Sequence, residues 1–184
     1  MIAKIEKEFL FNSAIHFEDK FLINLFEITF IMSVETENAK EQNIAIERLN
    51  YFIASYIDNS IFVNEKDKAS IEKYESAGLR VLTLPEDPYD QIIGLILIMK
   101  CNAIMEGRVV ITDIIFHSKL TSGIKFHSSI EETEDFKGNN WWNDPTTATK
   151  LTKNKKPKDK DKVIKLFDKD EWSEVGLLWK SKQA

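Results

Sequence analysis

Apolar and polar residues alternate from Ile5 to Phe17. Ile5, Phe9, Phe11, Ile15 and Phe17 fall on one side, and Glu6, Glu8, Asn12 and His16 on the other. Alternation with a period of two marks a strand with one buried face. A second such run, from about Leu22 to Glu35, carries Phe26, Ile28, Phe30, Met32 and Val34 on its apolar side. A hairpin joining the two must put both apolar sets on one face, because a slip of one residue turns a whole strand over. Pairing Phe17 with Leu22, Phe11 with Ile28 and Phe9 with Phe30, around the loop Glu18–Phe21, meets that condition.

The period then changes. Ala45, Leu49, Phe52, Ile53 and Tyr56 recur at helical spacing, so residues 39–57 read as an amphipathic helix, with Asn38 and Glu41 placed as a capping box. Ile61–Val63 reads as a brief strand, residues 66–77 as a surface helix ending at Gly78, and residues 79–85 as a buried strand closed by Pro85. The next stretch, Asp87 to Gly107, has the clearest signals. Asp87 suits an N-cap, Pro88 the first helical position and Gly107 the left-handed stop. Between them Ile92, Ile93, Leu95, Ile96, Leu97, Ile98, Met99, Ala103, Ile104 and Met105 point nearly all round. A helix apolar on every side is buried in lipid or in a protein core. The apolar run breaks at Lys100, short of the roughly 20 residues a membrane span needs, so a protein core is expected.

After Gly107 comes a long strand, RVVITDIIFHSKL, a three-residue TSG loop and a returning strand, IKFHSSI. The expected fold is α/β (α+β): a two-layer sandwich with a twisted mixed sheet of about five strands. A buried central helix and an amphipathic helix lie on one face of it. Residues 1–130 would form this globular domain. Residues 131–184 would be an extended tail, with a Lys-rich linker and a Trp-containing C-terminal segment.

Composition changes this picture in one respect. The net charge of −5 conceals an asymmetry: residues 150–184 hold 11 Lys against 6 acidic residues, which leaves −10 for residues 1–149. Such a body repels nucleic acid, whose binding rests on phosphate contacts, so only the Lys-rich tail could provide that binding. The single cysteine, Cys101, excludes an internal disulfide and falls within the buried helix. MIAKIEKEFLF has no uninterrupted apolar run of the kind a signal peptide carries, and a cytoplasmic setting is expected. No phosphate loop, CxxC, HExxH or GxSxG is present, and no cofactor is implied.

Candidate chemistry sits in the last hairpin. With Leu120 opposite Ile124, His117 faces His127 directly, and Asp113 shares their side of the sheet. All three histidines would then lie on the face away from the helices. Asp113, His117 and His127 could hold a metal or supply acid–base catalysis, which points to a small hydrolase. The plainer reading is a solvated sheet face.

That face also receives Leu10, Ile23, Leu25, Ile31, Val109, Ile111 and Ile115, a patch of the kind that marks a contact. It would be covered either by the chain's own tail, through Trp141, Trp142 or Trp172, or by another subunit. Trp172, Val175, Leu178 and Trp179 have the spacing of anchors on a helix that binds a protein partner, and Trp141 and Trp142 are further candidates for partner binding.

The segments PEDPYDQIIGLILIMKCNAIMEGRVVITDI and NNWWNDPTT together resemble uncharacterised proteins of T4-like marine phages, over most of the chain. The resemblance implies a viral source, and so a host cytoplasm, and brings no catalytic residue with it. The leading expectation is a non-enzymatic interaction or assembly protein that associates with itself and offers a Trp-bearing tail to a partner. The alternative is the hydrolase.

Overall fold

The computed structural model describes residues 3–136 and 140–146. Its elements are β1 (Ala3–Phe17), β2 (Lys20–Val34), α1 (Ala39–Phe52), β3 (Ser60–Asn64), α2 (Lys68–Ser76), β4 (Arg80–Leu84), α3 (Asp90–Met105), β5 (Val109–Ser118) and β6 (Lys125–Ser129). A π-helical turn, Ile53–Ile57, continues α1, and short 3-10 turns cover Ile130–Phe136 and Trp141–Asn143. They form an open mixed α+β sheet in the order β4-β3-β1-β2-β5-β6. β1, β3 and β4 run parallel, and β2 and β6 run against their neighbours.

The core forms where the periodicity put it. Phe11, Phe26, Ile28, Phe30 and Met32 are buried on the inner face of the sheet. α3 lies on them, and twelve of its 16 residues are buried. Each fully buried Ile, Leu or Met on it contributes roughly 1.5–3 kcal/mol. Gly107 has the left-handed φ of +75° that its stop position requires. Asp87, however, is not the N-cap. The helix begins at Asp90 with Tyr89 as its cap, and the Asp87 carboxylate accepts from Asn64 Nδ2 at 2.7 Å.

Both hairpins depart from the expected register by two residues. Glu18 and Asp19 are both left-handed, with φ of 48° and 61°. They form a two-residue turn whose twist suits a hairpin. Phe17 therefore pairs with Lys20, Phe11 with Phe26 and Phe9 with Ile28. At the other hairpin β5 stops at Ser118, and a 3-10 turn, Lys119–Thr121, replaces the TSG loop. The Thr121 hydroxyl donates to the Ser118 carbonyl at 2.9 Å and lies 3.3 Å from the Asp90 carboxylate, which ties the turn to the start of α3.

One strand changes face part-way. A bulge in β5 sets Asp113 opposite Ile31 and Ile111 opposite Met32, leaving Thr112 over. Val109 and Ile111, expected on the outer face, are thereby fully buried on the inner one. The bulge is closed from α3: Asn102 Nδ2 donates to the Ile111 carbonyl at 3.0 Å, and its Oδ1 accepts from the Ile111 amide at 2.7 Å.

α1 and α3 share the inner face, but α2 does not. It packs outside, where Tyr74 and Ile71 meet Ala14, Ile61, Val63 and Val81 of β1, β3 and β4. Described residues beyond 130 pack on this unit too, through the 3-10 turns Ile130–Phe136 and Trp141–Asn143. Trp142 is only 1% exposed within it.

Candidate functional site

The outer face of β1, β2, β5 and β6 is the part of the sheet that α2 leaves bare. Its upper half is apolar. Ile23 is 75% exposed and Leu10 62%, with Phe21 and Leu79 at 45% and 42%. Leu25, Ile31 and Ile115, half-buried, continue the same face. Where the face meets the edge of the α2 layer, Ala14, Phe21, Ile23, Ile61 and Leu79 line a groove of about 240 Å³. The local cause lies in the strand code. The outward positions of β2 run Phe21, Ile23, Leu25, Glu27, Thr29 and Ile31, so the apolar residues gather toward its turn with β1, where a solvated face would carry polar ones.

The histidine pair is not assembled as expected. His117 stands opposite Lys125, and His127 opposite Ile115, two residues along. All three histidines do fall on the outer side, because a shift of two preserves the face. His117 Nδ1 lies 3.6 Å from Glu27 Oε2, beyond hydrogen-bonding distance. Asp113 and His127 line a separate cleft of about 240 Å³ with Ser129 and Glu132, and His117 is not part of it. Among the described residues no three His, Cys, Asp or Glu side chains are placed to hold a metal ion.

His16 takes a different position from the other two. Its Nε2 lies 3.1 Å from the Asp67 carboxylate and 3.0 Å from Ser70 Oγ, and its Nδ1 lies 2.9 Å from the Tyr74 hydroxyl. A carboxylate only accepts, so Nε2 carries a hydrogen. The ring then has no lone pair directed at Ser70, and a Ser–His nucleophile does not follow. The hydrogen bonds from Ser70, with smaller help from His16, hold the Asp67 carboxyl below its ordinary pKa. The group fastens the start of α2 to β1. A cavity of about 360 Å³ lies beside it, at the carboxyl ends of β1 and β3. Only His16 of this group was visible in the sequence as an outward residue. Asp67, Ser70 and Tyr74 carry helix spacing, i, i+3 and i+7, that could have linked them to one face.

Trp141 and Trp142, candidates in one of the two coverings considered for the outer sheet face, pack elsewhere. Trp141 Nε1 donates to the Thr83 carbonyl of edge strand β4 at 2.8 Å, and Trp142 Nε1 to the Phe136 carbonyl at 3.0 Å. The Lys100 ammonium donates to the carbonyls of Trp141, Asp144 and Thr146 at 2.9, 2.6 and 2.9 Å. It lies between the Phe52 and Trp141 rings, 6.0 and 5.9 Å from their centroids. Both tryptophans are thus joined to the helical layer. Burial pushes Lys100 down to about 8, and pushes the Cys101 thiol up. Trp172, Val175, Leu178 and Trp179 lie outside the described residues.

No family model matches the chain, and no curated protein matches it. Among solved structures, an uncharacterised protein from Wolinella succinogenes aligns with a TM-score of 0.48 and 12% identity, over 71% of this chain and 99% of that one. A likeness of that strength carries nothing about function. No helix among the described residues is long and apolar enough to cross a membrane.

Proposed function

We propose that this is a non-enzymatic interaction protein that associates with itself through the outer face of its sheet. The supporting observation is the exposure of Ile23 and Leu10, 75% and 62%, on a face where Leu25, Ile31 and Ile115 also point outward, beside a groove. Removing about 25 cal/mol per Å² of such surface from water favours association. A self-complementary patch closes into a two-fold dimer. In the same reading Trp172, Val175, Leu178 and Trp179 are anchors for a protein partner, a role that rests on their spacing in the sequence.

Light scattering tests this on the full chain, on a chain ending at Thr149 and on Ile23→Lys. Ile23 is exposed in the single copy, so the substitution leaves the fold intact. The expected result is a dimer for the full chain and for the shortened one, and a dissociation constant raised at least about tenfold in Ile23→Lys. A monomer at all concentrations, or an Ile23→Lys dimer of unchanged affinity, contradicts the reading.

A further inference from the structure

We propose that Lys7 guards an open edge of the sheet and keeps a further strand from adding to β1. Lys7 takes this role from the strand register, whether or not two copies meet through the outer face.

The sheet has more free edge than its two outermost strands suggest. β1 runs for 15 residues, yet β3 lies beside it only from Ser13 to Ile15. Below Asn12 the side of β1 that faces away from β2 has no strand beside it among the described residues. The hairpin fixes which groups point there. Phe17 and Lys20 close a two-residue turn and bond to each other, and bonding alternates along the strand from that pair. Odd-numbered residues of β1 therefore direct their N–H and C=O at β2, and even-numbered ones direct theirs outward. Asn12 has that parity: its N–H donates to Asp58 Oδ1 at 2.9 Å, and its carbonyl accepts from the Asn59 amide at 2.6 Å. Lys4, Glu6, Glu8 and Leu10 thus hold out N–H and C=O groups that no described residue bonds.

Such a row is a template for another strand. The outermost strands limit that hazard in other ways. β4 and β6 have five residues each. The Trp141 indole occupies the Thr83 carbonyl of β4, and the Glu132 carboxylate accepts from the Ser129 amide at the end of β6, at 2.9 Å. Below Asn12 β1 has neither device, and apolar residues flank its edge. Ile5 and Phe9 are half-buried on the inner side, and Leu10 is exposed on the outer.

Lys7 breaks that apolar series. It is the only charged residue among the odd-numbered, inward positions of β1. It stands between Ile5 and Phe9 and opposite the fully buried Phe30. Its Nζ lies 5.1 Å from the centroid of the Phe9 ring. A side chain of this kind lays its stem on apolar surface and keeps its ammonium in water. A strand added about 4.8 Å away sets its own inward side chains beside that ammonium. The charge then loses water, which opposes pairing unless the incoming strand brings an acid to that one position. A second copy's β1 cannot: its inward residues from Ala3 to Phe11 are apolar apart from Lys7 itself.

Three full-length variants test the guard, Lys7→Val, Lys7→Thr and Lys7→Arg, by light scattering and amide exchange at one concentration. Val and Thr both suit a strand, and Thr removes the charge with little apolar gain. Both neutral variants are expected to reach at least about twice the parent mass through paired β1 edges. Their Glu6 and Glu8 amides should exchange at least about tenfold more slowly than in the parent. Lys7→Arg should match the parent in both measurements. Neutral variants of parent mass, or heavier ones whose Glu6 and Glu8 amides exchange as fast as before, overturn the guard role. Assembly of Lys7→Val alone comes from added apolar surface, and assembly of Lys7→Arg occurs with the charge in place; either result also overturns it.

Discussion

Lys100 shows how much one residue's surroundings decide. In the sequence it only interrupts an apolar run. In the fold it is fully buried and all three of its hydrogens are donated to backbone carbonyls. Burial lowers its pKa from the ordinary 10.5 to about 8. The unfolded chain therefore holds the proton more tightly across that window, and stability must rise with pH between those values. The full gain is about 3 kcal/mol, from about 1.4 kcal/mol per pKa unit. Urea unfolding at pH 7.5 and pH 10.5 should show this rise in the parent and not in Lys100→Met, the difference between the two removing the titration of every other group. Equal slopes in both proteins contradict the assignment. The sequence held no sign of this because the partners are main-chain carbonyls more than 40 residues away, and any residue type could supply them.

At the scale of elements, the sequence conveyed faces well and rungs poorly. Period-two alternation assigned the inner sets of β1 and β2 correctly, yet both hairpins were placed two residues out of register. A slip of two costs no change of face, so hydrophobic pattern does not penalise it. Only the turns could have settled it. Glu18 and Asp19 in the left-handed region are not the usual Asn-Gly signal, and the Ser118–Thr121–Asp90 contacts involve a helix distant in sequence. The Asp113, His117 and His127 grouping depended on that register and dissolved with it. The bulge in β5 was equally hidden, because its stabiliser, Asn102, sits on α3.

Asn102 should therefore matter beyond its modest burial. Asn102→Ala leaves the amide and carbonyl of Ile111 without that partner, and a loss of about 1–3 kcal/mol is expected from denaturant midpoints. Amide exchange at Ile111 should quicken more than at Ile114, which stays in the ladder with Phe30. A change under about 0.5 kcal/mol would mean that the bulge holds without the side chain.

For the whole molecule, the buried helix and the two-faced sheet were legible because they rest on composition over many residues. The domain limit was not. Asn, Asp, Thr and Trp around residue 141 read as tail, yet Trp142 is part of the buried core. The residue types around residue 141 gave no warning, because Trp142 and the carbonyls bound by Lys100 have no periodic pattern to betray them. The apolar outer face, by contrast, was visible from Leu10, Ile23, Leu25, Ile31 and Ile115. It is the feature on which the functional reading depends.

Methyl NMR with a soluble paramagnetic agent examines that face directly. Ile23 and Ile115 methyls are compared with those of Ile28 and Ile114, which stay buried in either state. At concentrations where the chain is associated, the signals of Ile23 and Ile115 should be as protected as those of Ile28, and dilution should expose Ile23 first. An Ile23 methyl that the agent attenuates strongly at every concentration contradicts a contact on the outer face.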